Sequence, residues 1–340
     1  GEYGNDAPTH FLFFFLISEI IKSINNKIVS FSANNLILST FIILNKITMA
    51  FAIFLPFLFL KRSELTKIFK TKKSYFAIIF LFLWVVKNII ISGCAIYPVN
   101  KLCFQSFEWT NIQEVTSVSQ ENEAWTKAWP DFNNINNISQ AEYSKKFNWV
   151  NTWSKTHLKK IIKILLPYFL FLIVIYLFIN FKYKDKKRNY YNINSKKYFV
   201  LIILMIVFSV AWFLKVPVYR YGYSYFVSFL ALGFAYLCIL NNPIKNNAYV
   251  FLNFFLILFT TIFILKNAIR IINPENLNSK KKFPQIIFIE KSDIKKIELE
   301  NLYYFESTKM CGYSFPPCTH YINKRLKSKK YYNYKMILVD

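Results

Sequence analysis

Glycine and histidine are scarce in this chain of 340 residues, and their scarcity excludes several kinds of site. Glycine occurs only 6 times, and no two glycines form a G-x-G pattern. This excludes the phosphate loop of nucleotide hydrolases and the dinucleotide-binding fingerprint. The chain has 3 histidines, and no two of its 5 cysteines form a C-x2-C pair, so we do not expect a zinc site of the usual spacing.

Apolar residues make up 54% of the chain and lie in long blocks separated by lysine-rich stretches. Blocks of about 17–25 apolar residues are typical of helices that cross a bilayer. The net charge of +25 lies in the stretches between these blocks, and we therefore do not interpret it as a nucleic-acid-binding surface. The composition predicts an all-α, multi-pass membrane protein.

Six apolar blocks meet or nearly meet the length needed to span the membrane. The six predicted spans are 36–60, 75–93, 161–181, 198–214, 221–240 and 248–265. The apolar stretch 10–21 is too short and contains Glu19, and we expect it to form a helix lying in the interface. Because the sequence begins at Gly1 rather than methionine, we also expect one or more helices upstream.

Two basic loops predict the orientation. Loops 61–74 and 182–197 each contain a cluster of lysine and arginine with a single acidic residue, which places them on the cytoplasmic side. The transmembrane domain 36–265 then has an N-terminal segment 1–35, a large loop 94–160 and a C-terminal segment 266–340 on the external side. We expect 266–340 to be a small soluble α+β unit.

Four of the 5 cysteines fall in the predicted external segments. Cys94 and Cys103 lie in the large loop, and Cys311 and Cys318 lie in the C-terminal segment. Disulfides persist on that side of a membrane, so we predict the pairs Cys94–Cys103 and Cys311–Cys318. The alternative is that all four are reduced.

Tryptophan is concentrated in the large external loop. Of the 7 tryptophans in the chain, five lie there: Trp109, Trp125, Trp129, Trp149 and Trp153. Tryptophan favours the headgroup layer of a membrane, and it also stacks on sugar rings. The sequence leaves both interpretations open.

Two lysines lie inside predicted spans, where a charge is expensive and usually functional. Lys46 is about 15 Å into the first span at 1.5 Å per residue, which is near the midplane. We expect it to face the interior and to bind an anion such as a lipid phosphate or to pair with a buried carboxylate. Because no predicted span offers an acidic residue, the anion would come from outside or from a helix upstream. Lys87 is near the outer end of the second span, and it either joins the same site or extends its ammonium group to the interface.

Arg220 is the second candidate for phosphate binding. It stands at the outer mouth of the fifth predicted span, between Tyr219 and Tyr221. A guanidinium group binds phosphate with two hydrogen bonds, and the tyrosines can donate hydrogen bonds or stack. The alternative is an interfacial anchor.

Asp6 and His10 are the candidate catalytic residues. They directly precede the predicted interfacial helix, and a carboxylate or imidazole at the membrane surface is a plausible general base. The alternative is a helix start, in which Asp6 is the cap and Pro8 occupies the first turn.

Four short stretches together resemble a known class of membrane enzyme. They are Asn5-Asp-Ala-Pro-Thr-His10, Lys87-Asn-Ile-Ile-Ile-Ser-Gly-Cys-Ala-Ile-Tyr-Pro98, Pro217-Val-Tyr-Arg220 and Cys311-Gly-Tyr-Ser-Phe-Pro-Pro-Cys-Thr319. Their order resembles that in GT-C-type glycosyltransferases, which use polyprenyl-phosphate-linked sugars. More narrowly, it resembles a family of uncharacterised bacterial multi-pass membrane proteins grouped with them.

The resemblance implies a function and a location. The chain would transfer a sugar from a polyprenyl-phosphate donor to a cell-surface glycan or lipid, at the outer face of a bacterial plasma membrane. Asp6 would activate the acceptor or hold a divalent metal ion. A transporter or flippase of an anionic lipid-linked sugar is one alternative, and a non-catalytic membrane scaffold is another. The partners expected are membrane lipids and the lipid-linked sugar, with no nucleic acid.

Overall fold

The computed structural model is mainly helical, with short strands near the C-terminus. It describes residues 6–26, 29–60, 62–134, 137–182, 195–241, 246–272, 294–299, 302–307, 318–319, 326–331 and 334–339. The chain forms two compact units. The first is Gly1–Phe104 with Ile112–Ile244, and the second is Gln105–Asn111 with Lys245–Asp340.

The first helix, α1, spans Asp6–Asn26 and is longer than the interfacial helix predicted at 10–21. Its buried apolar side chains recur at helical spacing and form one face: Phe13, Leu16, Ile17, Ile20 and Ile24. This face belongs to the main core of the first unit, because a stripe of that period must pack against a neighbouring element. The neighbours of α1 include α2 and α10.

The predicted span 36–60 is not one continuous helix, and that prediction is wrong. Helix α2 spans Val29–Asn45, and a separate 3-10 helix spans Ile47–Phe57. Lys46 between them has extended backbone angles, with φ −153 and ψ 104. The side-chain amide of Asn45 donates to the backbone carbonyl of Phe41 at 2.8 Å, so a carbonyl in the last turn of α2 has a side-chain partner.

Helix α2 and the 3-10 helix that follows it fold back on each other. Leu36 near the start of α2 lies in the same apolar cluster as Ile53 and Phe57 near the end of the 3-10 helix. Since α2 and the 3-10 helix also contact each other directly, the two helices run in opposite directions. They form a helical hairpin, and Lys46 is at its tip.

Two helices lead from this hairpin to the large loop. They are α3 over Arg62–Phe69 and α4 over Lys72–Ser92. The hydroxyl of Thr71 accepts a hydrogen bond from the amide of Ser74 and caps α4. The helix ends at Gly93, whose φ of 72 suits a glycine in the left-handed region.

The large loop is ordered around a disulfide and a buried lysine. Cys94 and Cys103 are bonded, with α-carbons 3.8 Å apart. The short helices that follow are α5 over Ile112–Thr126, α6 over Gln140–Tyr143 and α7 over Val150–Trp153. Buried Lys127 donates to Glu123 at 2.6 Å, and Tyr143 donates to the carbonyl of Lys127 at 2.8 Å. Burial raises the pKa of the Tyr143 hydroxyl.

Three longer helices complete the first unit. A π-helical segment, Ser154–Leu158, leads into α8 over Lys159–Lys182, which is followed by α9 over Ser195–Lys215 and α10 over Tyr219–Asn241. Trp153 from α7 packs edge-on against Phe213 of α9, with ring centres 5.1 Å apart. This contact joins the large loop to the helical domain.

Within the described residues, four helices are long and apolar enough to cross a membrane. They are Asp6–Ile24, Lys72–Ser92, Val150–Leu177 and Lys196–Lys215. The last three overlap the predicted spans 75–93, 161–181 and 198–214, whereas the first does not correspond to any predicted span. The fold is therefore that of a helical protein with several helices suited to a bilayer.

Among the described residues of the second unit are α11 over Asn246–Ile272 and five strands. The strands are β1 Ile294–Leu299, β2 Leu302–Ser307, β3 Cys318–Thr319, β4 Leu326–Tyr331 and β5 Tyr334–Val339. One sheet has the order β1-β2-β3, in which β1 and β2 are antiparallel and β2 and β3 are parallel, and β4 and β5 form an antiparallel pair. Lys329 of β4 forms an ion pair with Glu108.

Candidate functional site

Three helix ends bring an acid and two basic residues together. Asp6 is the first residue of α1, Lys46 is the tip of the helical hairpin, and Arg220 is in the first turn of α10. The ammonium group of Lys46 donates to Asp6 Oδ1. Arg220 Nε lies 4.0 Å from Asp6 Oδ2. The carboxylate thus bridges two cations, and we refer to these three residues as the charge cluster.

Two of the three charges suit the helices that carry them, and the third does not. A carboxylate is favoured at a helix N-terminus, where Asp6 stands, and a cation is favoured beyond a helix C-terminus, where Lys46 stands. Arg220 is at the N-terminal end of α10, where the helix dipole does not favour a cation. The Asp6 carboxylate offsets that disadvantage.

Tyr221 lies against both cations. Lys46 Nζ is 4.3 Å from the centre of the Tyr221 ring, and the Arg220 guanidinium carbon is 5.1 Å from it. Arg220 Nη2 also donates to the Tyr221 hydroxyl at 3.2 Å. An aromatic face attracts cations, so Tyr221 holds the two positive groups on one side of the site.

His10 fixes the backbone beneath the charge cluster. Its Nε2 lies 2.6 Å from the carbonyl oxygen of Arg220, and its Nδ1 lies 2.6 Å from the hydroxyl of Ser224. A carbonyl can only accept, so Nε2 carries the proton and, in the neutral ring, Nδ1 accepts from Ser224. Lys46 Nζ donates to the same carbonyl at 3.3 Å.

These contacts change the interpretation of His10. The side chain is buried, and both ring nitrogens have partners within the protein. It is therefore placed to orient the first turn of α10 rather than to take a proton from a substrate. Of the two predicted catalytic residues, Asp6 is the one whose side chain is partly exposed, at 35%.

Two tryptophans hold the turn that precedes Arg220. Trp153 Nε1 donates to the carbonyl of Pro217 at 2.6 Å, and Trp212 Nε1 donates to the carbonyl of Val218 at 2.9 Å. A β-carbon on Gly222 would lie 2.6 Å from the Trp212 ring, so only glycine lets α10 approach this closely. The turn is fixed from both sides, and with it the start of α10.

The charge cluster is open on one side. The Lys46 side chain is only 8% exposed, whereas that of Arg220 is 49% exposed. With one carboxylate and two cations the cluster carries a net positive charge. An anion approaching from solvent would meet the guanidinium first, and phosphate matches its donor geometry.

The depth predicted for Lys46 depends on a continuous span 36–60 and is wrong, and its acidic partner comes from α1 rather than from a helix upstream. Because α2 ends at Asn45, Lys46 lies level with the first residue of α1 rather than within a span. Its partner is Asp6. The sequence does not predict this ion pair, because the two residues are 40 positions apart. They meet only if the apolar run 36–60 breaks at Lys46.

The other predicted site residues do not belong to the charge cluster, and their surroundings differ. Tyr219 packs edge-on to Tyr223, with ring centres 5.4 Å apart, and its buried hydroxyl has no hydrogen-bond partner within the described part of the chain. Lys87 is exposed on α4, and no contact given by the described residues joins it to the charge cluster. The predicted Cys94–Cys103 disulfide is confirmed, whereas Cys311, and with it the Cys311–Cys318 pair, lies outside the described residues.

The site does not fit the divalent metal that the resemblance implied for Asp6. Its carboxylate faces two cations, which would repel a metal ion. Among the residues that the structure describes, no group of three or more histidine, cysteine, aspartate or glutamate side chains could hold one. We therefore derive no step through a metal.

Sequence reasoning missed the residues that support the site. The sequence assigns no role to Ser224, Trp212 or Gly222, and it leaves Trp153 as a membrane anchor or a sugar platform. A usable signal is present for Gly222, because it is one of only 6 glycines and lies two residues after the Pro217–Arg220 stretch. Nothing in the sequence distinguishes Ser224 from other serines in apolar helices.

Comparison with known proteins gives a family but no activity. No curated protein and no solved structure matches the chain. Residues 4–227 match a family described as a domain of unknown function, DUF8201. This range covers well over half of the 340 residues and includes every member of the charge cluster. The chain therefore belongs to the DUF8201 family.

Proposed function

We propose that the protein is an integral-membrane glycosyltransferase of GT-C type that transfers a sugar from a polyprenyl-phosphate donor to a cell-surface glycan or lipid. The observation that carries the proposal is the meeting of Asp6, Lys46 and Arg220, from three distant parts of the chain, at the ends of three helices. A scaffold that only anchors itself in a membrane does not require such a convergence.

The residues suit distinct steps of the transfer. Asp6 accepts the proton of the acceptor hydroxyl, whose oxygen forms a bond to the anomeric carbon of the donor sugar. The bond from that carbon to the phosphate oxygen breaks, and the phosphate leaves with the electron pair. Lys46 and Arg220 stabilise the charge that develops on the leaving phosphate. Tyr221 supports both cations, and Lys87 has no part in this scheme.

An apolar groove between α2 and α4 suits the hydrocarbon chain of the donor. It has a volume of about 550 Å³, and its lining includes Phe41, Asn45 and Phe80. Asn45 directly precedes Lys46 in the chain. We propose that a lipid with its phosphate at the charge cluster lays its hydrocarbon chain in this groove.

We propose that the cluster lies at the external face of a bacterial plasma membrane. The basic loops 61–74 and 182–197 support a cytoplasmic location for the opposite ends of the helices, and the Cys94–Cys103 disulfide supports an oxidising environment for the large loop. On the same basis we propose that the strands of the second unit, which follow α11, are external. Helices α10 and α11 would supply the further spans predicted at 221–240 and 248–265.

One observation favours a different function, a flippase or transporter of an anionic lipid-linked sugar. The helical hairpin places the break between two helices at Lys46, and transporters often bind their substrates at such breaks. In that case the charge cluster would bind the phosphate and no bond would be broken.

Sugar transfer in membranes containing the full chain separates the two functions. With a labelled polyprenyl-phosphate sugar and a cell-surface glycan or lipid acceptor, we expect labelled product from the wild-type protein. We expect none from Asp6→Asn and little from Arg220→Lys, because an ammonium group cannot reproduce the two-pronged contact of a guanidinium. Matched controls are Asp131→Asn and Arg62→Lys, which make the same changes at exposed positions outside the cluster.

Two outcomes would contradict the proposed glycosyltransferase. If no sugar is transferred but the intact lipid crosses the membrane of reconstituted vesicles, the protein is a flippase. If Asp6→Asn transfers sugar as fast as the wild-type protein, the role proposed for Asp6 is wrong.

A further inference from the structure

We propose that the Asp6 carboxylate is an internal substitute for the ligand phosphate, and that binding of a lipid phosphate displaces it from Lys46 and Arg220. The inference rests on the phosphate-binding part of the proposed function and concerns the regulation of the same site. It assigns Asp6 a second role, in which the carboxylate closes the anion site until a donor arrives.

The geometry supports this substitution. One oxygen of the carboxylate accepts from Lys46 and the other faces Arg220 Nε at 4.0 Å. Two oxygens of a phosphate bound between the same cations would occupy the same positions. The hydroxyl and ring of Tyr221 contact the cations from another side and would remain in place in either state.

Burial explains why the substitute is needed. The Lys46 side chain is 8% exposed, and a cation withdrawn from water is strongly unfavourable unless an anion accompanies it. His10 and Ser224 below it provide no negative charge, and the Arg220 carbonyl provides only a dipole. Within the described part of the chain, Asp6 is the anion that pairs with Lys46.

Displacement would couple binding to catalysis. While Asp6 accepts a hydrogen bond from Lys46, its carboxylate faces the ammonium group rather than an acceptor hydroxyl. When a phosphate takes its place, the carboxylate loses that bond and remains beside the bound donor, since it is fixed at the start of α1 and its side chain is 35% exposed. The base would then become available only after the donor has bound.

A purely structural ion pair makes the opposite prediction. If Asp6 is needed to hold Lys46 and Arg220 in position, its removal disperses the cations and weakens the binding of a phosphate. If Asp6 competes with the phosphate, its replacement by a neutral side chain of the same shape strengthens binding. The sign of the change therefore decides between the two roles.

The test is a binding titration of the full chain in detergent with dioctanoyl phosphatidic acid. We expect Asp6→Asn to bind about tenfold more tightly than the wild-type protein. Removing an anion a few Å from a partly screened phosphate site removes a repulsion whose free energy corresponds to roughly a tenfold change in the dissociation constant. Asp6→Glu keeps the charge and should not gain affinity. Asp131→Asn, an exposed residue outside the cluster, should bind like the wild type.

Two further titrations identify the part of the ligand that is recognised. Inorganic phosphate should also bind more tightly to Asp6→Asn if the headgroup suffices, whereas a gain limited to the lipid assigns the site to a membrane ligand. Dioctanoyl glycerol, which lacks the phosphate, should show no difference between the two proteins. Unchanged or weaker binding of both phosphate ligands by Asp6→Asn would overturn the proposal.

A second measurement on the wild-type protein does not depend on the variant folding. Carbodiimide coupling of an amine to Asp6, followed by mass spectrometry, reports how accessible the carboxylate is. Phosphatidic acid should increase coupling at Asp6, and dioctanoyl glycerol should not. A decrease with phosphatidic acid means that Asp6 stays in its ion pair, and displacement is refuted. Failure of sugar transfer, in contrast, would refute the enzyme and leave these binding results unaffected.

Discussion

Gly222 and Gly233 lie on the same helix, α10, and the same substitution at the two positions should have opposite effects. A β-carbon at Gly222 would lie 2.6 to 2.7 Å from atoms of the Trp212 indole, whereas a β-carbon at Gly233 would meet nothing within 4 Å. Trp212 is buried, 4% exposed, and cannot simply turn away. Gly222→Ala must therefore move either the indole or the helix.

The expected change follows from two opposing contributions. Alanine favours a helix over glycine by about 1 kcal/mol, and this gain applies to both variants. At Gly222 it is opposed by overpacking of about 1–3 kcal/mol and by the weakened hydrogen bond from Trp212 to Val218, worth about 1 kcal/mol. We expect Gly222→Ala to lower the free energy of unfolding by about 1–3 kcal/mol, and Gly233→Ala to raise it by about 1 kcal/mol.

The effect should also reach the charge cluster. The indole of Trp212 holds the turn before Arg220, so a displaced indole shifts the guanidinium away from Asp6. Gly222→Ala should therefore lower both the affinity for phosphatidic acid and the free energy of unfolding. Gly233→Ala should lower neither of them. Thermal unfolding in detergent and the same binding titration measure both quantities. Equal stability of the two variants would refute the close approach of α10 to Trp212.

Three further predictions concern the support of the site and its orientation. Trp153→Phe removes the donor to the buried carbonyl of Pro217 and should lower the free energy of unfolding by about 1–3 kcal/mol; an unchanged thermal midpoint would contradict the role of this contact. Replacing Cys94 and Cys103 together by serine opens a bridge between residues 9 positions apart and should cost about 2–3 kcal/mol, a loss that a reducing agent should reproduce in the wild-type protein. In intact cells, a cysteine introduced at Ser139 should react with an impermeant thiol reagent and one at Ser63 should not, and the reverse pattern would invert the proposed topology.

Apolar patterning predicted the class of the fold and several of its helices. The predicted spans 75–93 and 198–214 agree closely with candidate spans in the structure because each is a single apolar run bounded by polar residues. The prediction of a single span over 36–60 is wrong for a physical reason. The same apolar composition suits one continuous helix and two short helices that form a hairpin. Only the polar pair Asn45 and Lys46 hinted at the break.

The candidate site was less predictable than the fold. Asp6, Lys46 and Arg220 could each be identified as unusual, because a charge beside an apolar block must be explained. The resemblance to a GT-C-type enzyme predicts that the three share one cavity, but it does not predict their pairwise contacts, since these depend on where α2 ends and how α10 begins. The supporting groups, His10 with Ser224 and the two indoles, act through single hydrogen bonds to backbone carbonyls, and such contacts leave no pattern in a sequence.

The location of the site follows from the architecture. Helices that cross a bilayer expose their sides to lipid, so charged groups from several helices meet most readily where the helices end. Helix ends are also where chains are least constrained, and a site built there needs rigid support. Here the support comes from the large loop, because Trp153 donates to the turn that precedes Arg220. If the loop moves when an acceptor binds, this hydrogen bond is the direct route by which the movement reaches the guanidinium. The loop would then act on the phosphate site without contacting the phosphate, and Trp153→Phe should weaken phosphate binding even though Trp153 lies outside the charge cluster.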